Sequence, residues 1–576
     1  LLARRRTRVS RANQLTGGPA RRRILTRMPT HEVFNQSPVY GGDDLFRTDS
    51  TLMEATARWG APTADVHQLG AQAGAEQALT WGVQADTAPP VLRSHDARGR
   101  RVDEVDYHPA YHQLMTVAVG HGLTAEPWTR PAGSGAHLAR AAGFYVWGQV
   151  EAGHLCPVSM TYAAAPVLAR DPQARGTWLP KLASRAYDPQ LTSIDAKPGA
   201  LVGMGMTEKQ GGSDVRANTT TATPDASGPL GDQSHRLRGH KWFCSAPMSD
   251  GFLVLAQALA GLTCFLLPRV LPDGTRNPFA IQRLKDKLGN RANASSEVEF
   301  EDTWATPLGE PGRGIATIIE MVSATRLDCV LGSAATMRAA LVRAVHHTAY
   351  RSAFGTRLLD APLMRNVLTD LALESEAATL LAMRLAHAVD QGEDDFARLA
   401  VALGKFWVCK RATPMVAEAL ECLGGLGYVE ENGMARLLRE APLNSIWEGS
   451  GDVNALDVLR AIAREPASLA ALAKEARLAR GFDARLDAAI DRIEPMAGGA
   501  LDADAPLIAR RVVEDLALTL QASLMVRYAD APVAQAFVAK GIAGERGATF
   551  GTLPADVVRS AAPAVLSRTP AGVDLS

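Results

Sequence analysis

The sequence predicts a mainly α-helical protein with a single β domain in its middle, in the order α, β, α and then further α. Three observations carry this reading. Alanine and leucine are abundant while aromatic residues make up only 6% of the chain, a composition that favours helices. Between about 199 and 306 the texture turns to short apolar runs separated by Gly, Pro, Asn and Asp, the punctuation of strands and turns. After Gly312 and Gly314 long amphipathic patterns resume. A chain of 576 residues is also too long for one hydrophobic core, so several packed units are expected.

Taken in order, residues 28–198 read as an N-terminal domain of helices and loops. Leu138 to Cys156 forms one expected helix, with Leu138, Ala141, Ala142 and Tyr145 at helical spacing and Gly143 and Gly148 as weak points. Trp178–Leu182 belongs to a second amphipathic segment, and Pro189 and Pro198 punctuate the exit. The middle domain, 199–306, holds the strand-sized runs Leu201–Met206, Gly239–Ser245, Gly251–Gln257, Thr263–Pro268 and Val298–Phe300. Phe252–Ala256 and Thr263–Leu267 are spaced as a hairpin. A helical bundle follows over 307–463, with Ala361–Gln391 and Ala402–Leu423 as its long helices. An additional helical domain covers 464–576, its clearest piece being Pro506–Tyr528, where the proline suits a first turn.

Composition excludes several classes. Hydrophobic residues at 47% and charged residues at 21% are the balance of an ordinary soluble globular protein. No membrane span is expected: the best apolar stretch, Leu253–Leu267, is too short and is interrupted by Gln257 and Gly261. Six scattered cysteines without a Cys-x-x-Cys pair argue against a disulfide framework and against a metal site, and point to a reducing, cytoplasmic setting. The net charge of zero conceals a split, because residues 1–27 hold nine arginines and no acid, leaving 28–576 at −9. The favoured expectation is a mis-assigned start ahead of Met28, and the competing one is a functional basic arm that holds phosphates.

Five segments carry chemistry. Gly205–Val215 (Gly-Met-Thr-Glu-Lys-Gln-Gly-Gly-Ser-Asp-Val) follows an expected strand, and its paired glycines let the backbone approach a ligand. It lacks both the Gly-Lys-Ser/Thr ending of a phosphate loop and the Gly-x-Gly-x-x-Gly of a dinucleotide fold. Gly239–Ser245 is a second strand. In Arg351-Ser352-Ala353-Phe354-Gly355 the guanidinium fork suits a diphosphate. Glu421–Tyr428 contains Gly424-Gly425, which reads locally as a helix C-cap. In Ser445–Asp452, Glu448 beside Gly449 reads locally as a loop acid ahead of a helix that Ser450 or Asp452 begins.

Together these segments resemble the acyl-CoA dehydrogenase family over nearly everything from Met28 onward, and the resemblance implies that family's fold with an extra C-terminal helical region. Met-Thr-Glu-x-x-Gly-Gly-Ser-Asp is similar to the family's first signature, and Gly239–Ser245 to its Gly-x-Lys-x-Trp-Ile-Thr strand. What this implies is an FAD cofactor. Met206 and Thr207 offer donors to the polar edge of the isoalloxazine, Gly212 and Ser213 serve the phosphate region, and Phe243 and Ser245 stand where the family has tryptophan and threonine. Arg351 and Phe354 match Arg-x-x-Phe-Gly, whose arginine reaches the FAD of a neighbouring subunit, and a homotetramer built as a dimer of dimers is implied. Glu421, Gly424 and Gly425 match the diphosphate-contacting signature, with Glu421 in place of the usual glutamine. Trp447, Glu448, Gly449, Ser450 and Asp452 match the Ile-Tyr-Glu-Gly-Thr loop, which makes Glu448 the catalytic base. A family branch places its base just before an arginine that corresponds to Arg326. That position is Thr325, which cannot act as a base, and Thr325, Arg326 and Trp447 are left to line the substrate pocket.

Within the family, the AidB-like, alkylation-response branch is most similar. His31–Gln36, Glu151–Pro157, Lys285–Arg291, Trp447 and the helical extension carry that similarity. Ser323 stands where the family's aspartate contacts the CoA arm. Three functions are therefore carried forward: a flavin-dependent dehydrogenase acting on an acyl-CoA or another small molecule, a DNA-associated stress protein, and an oxidase using the same residues. The branch associates the C-terminal region with double-stranded DNA. Arg477, Arg480, Arg485, Arg510, Arg511, Arg527 and Lys540 are the candidate cations, and an ordinary solvated surface is the alternative.

Overall fold

Six helices and two short ones fill the first helical segment: α1 (Ser50–Arg58), α2 (Ala64–Gly74), α3 (Glu76–Thr87), α4 (Pro109–Gly120), α5 (Ala136–Gly148), α6 (Leu155–Leu168), α7 (Pro172–Thr177) and α8 (Leu179–Leu182), with the ribbon β1 (Val91–His95) and β2 (Arg101–Asp106) between α3 and α4. Seven strands follow: β3 (Val202–Gly205), β4 (Thr221–Pro224), β5 (His235–Ser245), β6 (Gly251–Ala258), β7 (Gly261–Pro268), β8 (Ala280–Leu284) and β9 (Ser295–Leu308). The helices then resume with α9 (Gly314–Tyr350), α10 (Pro362–Gln391), α11 (Asp394–Glu421), α12 (Met434–Glu440) and α13 (Gly451–Arg464), the two-residue strands β10 (Ser352–Ala353) and β11 (Thr356–Arg357) lying between α9 and α10. The extension adds α14 (Pro466–Arg477), α15 (Ala484–Ile493), α16 (Ala505–Tyr528), α17 (Ala531–Gly541) and α18 (Ala555–Ser567). This computed structural model describes residues 30–493, 495–496 and 504–569, so the basic segment 1–27 lies outside the described residues. The elements belong to the unit Ser37–Ser576.

The order α, β, α and further α holds, and the β region closes on itself. β6 pairs β7, β7 pairs β9, β9 pairs β5, β5 pairs β4 and β4 returns to β6, with β3 outside β6 and β8 outside β9. The expected hairpin is β6–β7, antiparallel with Leu253 opposite Leu266 and Val254 opposite Phe265. Closure satisfies edge groups that would otherwise be open for pairing.

Local chemistry accounts for three departures from the sequence reading. The single helix over Leu138–Cys156 is two helices broken at 149–154, because Glu151 turns its carboxylate onto the N–H groups of Gly153 (2.6 Å) and His154 (2.8 Å) and so starts α6 afresh. Gly143 does not weaken α5: a Cβ there would lie 2.7 Å from Leu123, so the glycine provides room for packing. The ribbon β1–β2 went unread because its strands are short and charged residues dominate β2, leaving Val105 as the ribbon's one buried apolar residue. A smaller difference is that α11 ends at the C-cap Cys422, with Gly424 adopting its left-handed conformation (φ 58°) in the following turn.

The extension is not a separate core. One apolar cluster runs from Leu45 through Val330, Leu381 and Leu403 to Leu516, Phe537 and Leu566. Polar ties reinforce it: Trp407 donates to Gln521 (2.8 Å), and the buried Lys540 ammonium sits 2.6 Å from both Asp370 and Glu374. Removing one member of a buried pair leaves the other charges uncompensated. Lys540→Met is therefore expected to lower the unfolding free energy by about 3–5 kcal/mol, read as a fall in denaturant midpoint of the whole chain.

Candidate active site

Glu448 lies in the loop between α12 and α13, where Gly449 and Ser450 lead into α13. Its backbone is left-handed (φ 56°), a conformation that favours glycine and costs a glutamate about 1–2 kcal/mol. The surroundings hold it there. Arg326 Nε on α9 donates to the Glu448 carbonyl (3.1 Å) while its Nη1 rests on Asp457 of α13 (2.7 Å). Lys405 on α11 donates to the Gly449 carbonyl, which also accepts from Asn454 (2.6 Å). Gly449 (φ 95°) is packed so that a Cβ would come within 3.1 Å of both Val453 and Asn454.

The Glu448 side chain points to Thr325, whose hydroxyl lies 2.7 Å from Oε2. Burial pushes the carboxyl above the ordinary glutamate range, while the Thr325 hydrogen bond and the charges of Lys405 and Arg326 hold it back. Thr325 has one proton and three nearby acceptors, since the Val322 carbonyl lies at 3.0 Å and that of Met321 at 3.3 Å. With Glu448 ionised, the hydroxyl donates to the carboxylate. Once Glu448 carries a proton it can donate to Oγ1, and the hydroxyl turns to the carbonyl of its own helix. Both protonation states are thus hydrogen-bonded, which a proton-transfer group needs.

The loop opens on a cleft of about 1520 Å³ between α6, the barrel, α9 and α13. Met206, Thr207, Gly212, Ser213, Phe243, Ser245, Thr325, Arg326, Trp447, Glu448, Gly449 and Ser450 all line it, so twelve sequence-selected residues from four separate segments converge on one cavity. Phe243 is an apolar side chain 49% exposed, an aromatic face turned to open space. Trp447 is fixed by its indole N–H on Asn444 (2.9 Å). Ser323 also lines the cleft.

A buried staple shapes the wall. Glu208 and Lys241, both with fully buried side chains, pair at 2.8 Å, and Glu208 also accepts the backbone N–H groups of Thr219 (2.7 Å) and Thr220 (3.2 Å). These partners depress the Glu208 carboxyl despite the opposing effect of burial. The staple ties the Thr207 loop to β5, whose Trp242 N–H donates to the Thr207 carbonyl (2.8 Å). Gly212 folds back so closely that a Cβ would lie 2.5 Å from the Thr207 hydroxyl.

Arg351, Phe354, Glu421, Gly424, Gly425 and Asp452 are not among the residues lining this cleft. Phe354 (φ 52°), Glu421, Gly424 and Gly425 are exposed elsewhere on the protomer, and Asp452 pairs with Arg510 of α16 at 2.8 Å. Five of the seven candidate DNA-contacting cations are engaged within the chain. Arg480 pairs with Asp491, Arg485 with Asp483 and Glu545, Arg510 with Asp452, Arg527 with Glu475, and Lys540 is buried. Among the described residues no cluster suits a metal ion and no helix is long and apolar enough to cross a membrane. All six cysteines are free and buried.

Comparison with known proteins agrees with this arrangement. Residues 35–189 match the adaptive response protein AidB N-terminal domain, 203–303 the acyl-CoA dehydrogenase middle domain and 312–463 the acyl-CoA dehydrogenase C-terminal domain. The chain is 45% identical over 515 residues to AidB of Escherichia coli, covering 88% of this chain and 94% of that protein. It belongs to the acyl-CoA dehydrogenase family. The family is one of FAD-dependent oxidoreductases acting on CH–CH groups, and that is the class of this enzyme. Acyl-CoA dehydrogenase family member 11 of Caenorhabditis elegans is 29% identical over 78% of this chain and 72% of its own. The solved structure of that worm protein, in complex with C11-CoA, shares the fold with a TM-score of 0.79 at 24% identity, covering 96% of each chain. The apo-form of Bd2924 superposes with a TM-score of 0.78 at 28% identity, covering 86% of this chain and 99% of its own.

The family motifs marked the cleft, but several of its supports were missed. Lys405, Asn454 and Asp457 hold the Glu448 loop, and Cys156 and Lys287 line the cleft. Lys405 had a legible signal, since it interrupts the apolar run Leu403–Val408 and is 1% exposed. The strain at Glu448 gives a test: Glu448→Gly should raise the unfolding free energy by about 1 kcal/mol in urea titrations, through relief of the left-handed backbone.

Proposed function

We propose that this chain is an FAD-dependent acyl-CoA dehydrogenase-like enzyme in which Glu448 removes the α-proton of an acyl thioester. One observation carries the reading: a half-buried carboxylate with two satisfied protonation states faces a cleft lined by the aromatic Phe243 and by hydroxyls at Thr207, Ser213 and Ser245. These residues fit a flavin. Phe243 presents a flat apolar surface, the Thr207 loop approaches closely because Gly212 has no side chain, and the hydroxyls supply donors. Bound FAD would supply the acceptor for the β-hydride.

Glu448 acts as the base, and its raised affinity for a proton gives it the driving force to take one from carbon. The Glu448 backbone N–H is assigned to the thioester carbonyl, where it opposes developing negative charge. Arg326, Lys405 and Asn454 keep the loop in its left-handed form, so that carboxylate and N–H stay in register. Trp447 narrows the cleft and Ser323 offers a hydroxyl where a charged partner for the CoA arm would stand, so the site favours a substrate less dependent on that arm. Half-buried Arg351 and exposed Phe354, Gly424 and Gly425 lie outside the cleft, which supports a second FAD-contacting surface completed by a neighbouring subunit in a homotetramer. A place in a cytoplasmic alkylation response is supported by the similarity to AidB.

The test is anaerobic mixing of the FAD-loaded protein with short branched and straight acyl-CoAs while flavin absorbance is followed. Bleaching is expected, and none with any thioester would reject the reading. Glu448→Gln should retain FAD and lose at least about 1000-fold in bleaching rate, the scale of losing a proton-transfer group. Because the base must be ionised and its carboxyl is raised, the rate should climb with pH through a midpoint above the ordinary glutamate range. Thr325→Val removes a donor to the carboxylate and should move that midpoint higher still, a shift read from the pH profile of the bleaching rate.

A further inference from the structure

Five lysines, four buried and Lys287 half-buried, illustrate how this fold treats ammonium groups drawn in from solvent. Lys197, Lys241 and Lys540 each sit within 3.2 Å of a carboxylate. Lys405 and Lys287 instead bond to uncharged atoms. Lys405 lies close enough to Glu448 to favour that carboxylate's charged form. Lys287 lines the same cleft, and Glu440 and Glu151 favour its charge while its hydrogen bonds go to uncharged atoms.

The contacts of Lys287 are directional. Its Nζ donates to the Asn293 carbonyl (2.6 Å) and to the Ser295 hydroxyl (3.0 Å), which leaves a third N–H. Ser295 Oγ accepts from Lys287 and lies 3.4 Å from Ser245 Oγ, to which its own hydroxyl can donate. Ser245 in turn lines the cleft, with the Cys156 thiol as a further hydrogen-bond partner. Charge at one end of such a chain strengthens each donor along it. Burial lowers the Lys287 ammonium to about 8, opposed by the more distant Glu440 and Glu151, so the group remains largely charged at neutral pH and is held at a desolvation cost.

We propose that Lys287, acting through Ser295 and Ser245, is a positioning residue that directs positive potential at the electron-rich edge of the cofactor and so makes the bound flavin a stronger electron acceptor. The inference rests on the FAD reading given above. It assigns to the cleft wall opposite Glu448 the task of stabilising negative charge that the reaction delivers there, as Lys405 and Arg326 do for the carboxylate.

The experiment uses the full-length, FAD-loaded chain and two readouts that need no substrate. These are the midpoint potential of the bound flavin and the affinity for sulfite, which adds reversibly to oxidised flavins and leaves negative charge on the ring. Lys287→Met should retain FAD and weaken sulfite binding at least about tenfold, with a potential lower by about 30 mV, the equivalent of tenfold for a two-electron couple. Ser295→Ala keeps the charge and breaks the relay, and should shift both readouts in the same direction by about threefold. Sulfite affinity and potential within twofold of wild type in FAD-bound Lys287→Met would overturn the proposal. Should that variant fail to fold, an unchanged Ser295→Ala overturns it equally. A wild-type chain that takes up no FAD refutes the underlying flavin reading instead.

Discussion

The architecture around the cleft depends on holding one carboxylate, that of Glu448, half-buried in a backbone conformation that glutamate disfavours. Left to itself the loop would relax and the side chain would find water. Arg326 from α9, Lys405 from α11 and Asn454 from α13 all bond to the carbonyls of the loop, so three helices fix two residues. Thr325 then supplies a hydroxyl that serves either protonation state. Stability is given up locally and recovered from the helical packing behind it.

That division explains why the extension packs into the bundle rather than hanging from it. α11 carries Lys405 on one side and Trp407 on the other, and Trp407 is bonded to Gln521 of α16. Lys540 of α17 closes the buried acids Asp370 and Glu374 of α10. The extra helices therefore buttress the helices that hold the Glu448 loop. Of the cations singled out in the sequence, Arg480, Arg485, Arg510 and Arg527 each pair with a carboxylate.

Much of the fold was legible because its signals are local. Periodicity marked α10 and α16, and short runs between glycines and prolines marked β6 and β7. The break before α6 was not, since it depends on the Glu151 carboxylate folding onto its own backbone, and β1–β2 was not, since its strands are short and charged residues dominate β2. The site divides similarly. Thr207, Ser245, Trp447 and Glu448 sit in motifs that resemble the family's signatures, so a local pattern marks them. Lys287 and Lys405 act through carbonyl and hydroxyl partners that no local pattern encodes, and in the case of Lys405 the partner lies 44 residues away. The distal set at Arg351 and Gly424 was read from motifs alone, and a single protomer does not bring it to the cleft.

The central claim is that Glu448 takes a proton from the carbon next to a thioester carbonyl, and it can be measured apart from electron transfer. An acyl-CoA whose β-carbon is replaced by sulfur cannot lose hydride, so any reaction in deuterium oxide is confined to α-proton exchange, read by mass spectrometry. The FAD-loaded wild-type chain is expected to incorporate deuterium at the α-carbon, and Glu448→Gln with the same FAD content is expected to incorporate none above the uncatalysed background. Equal exchange in both proteins, or no exchange in the FAD-loaded wild type, would contradict the account.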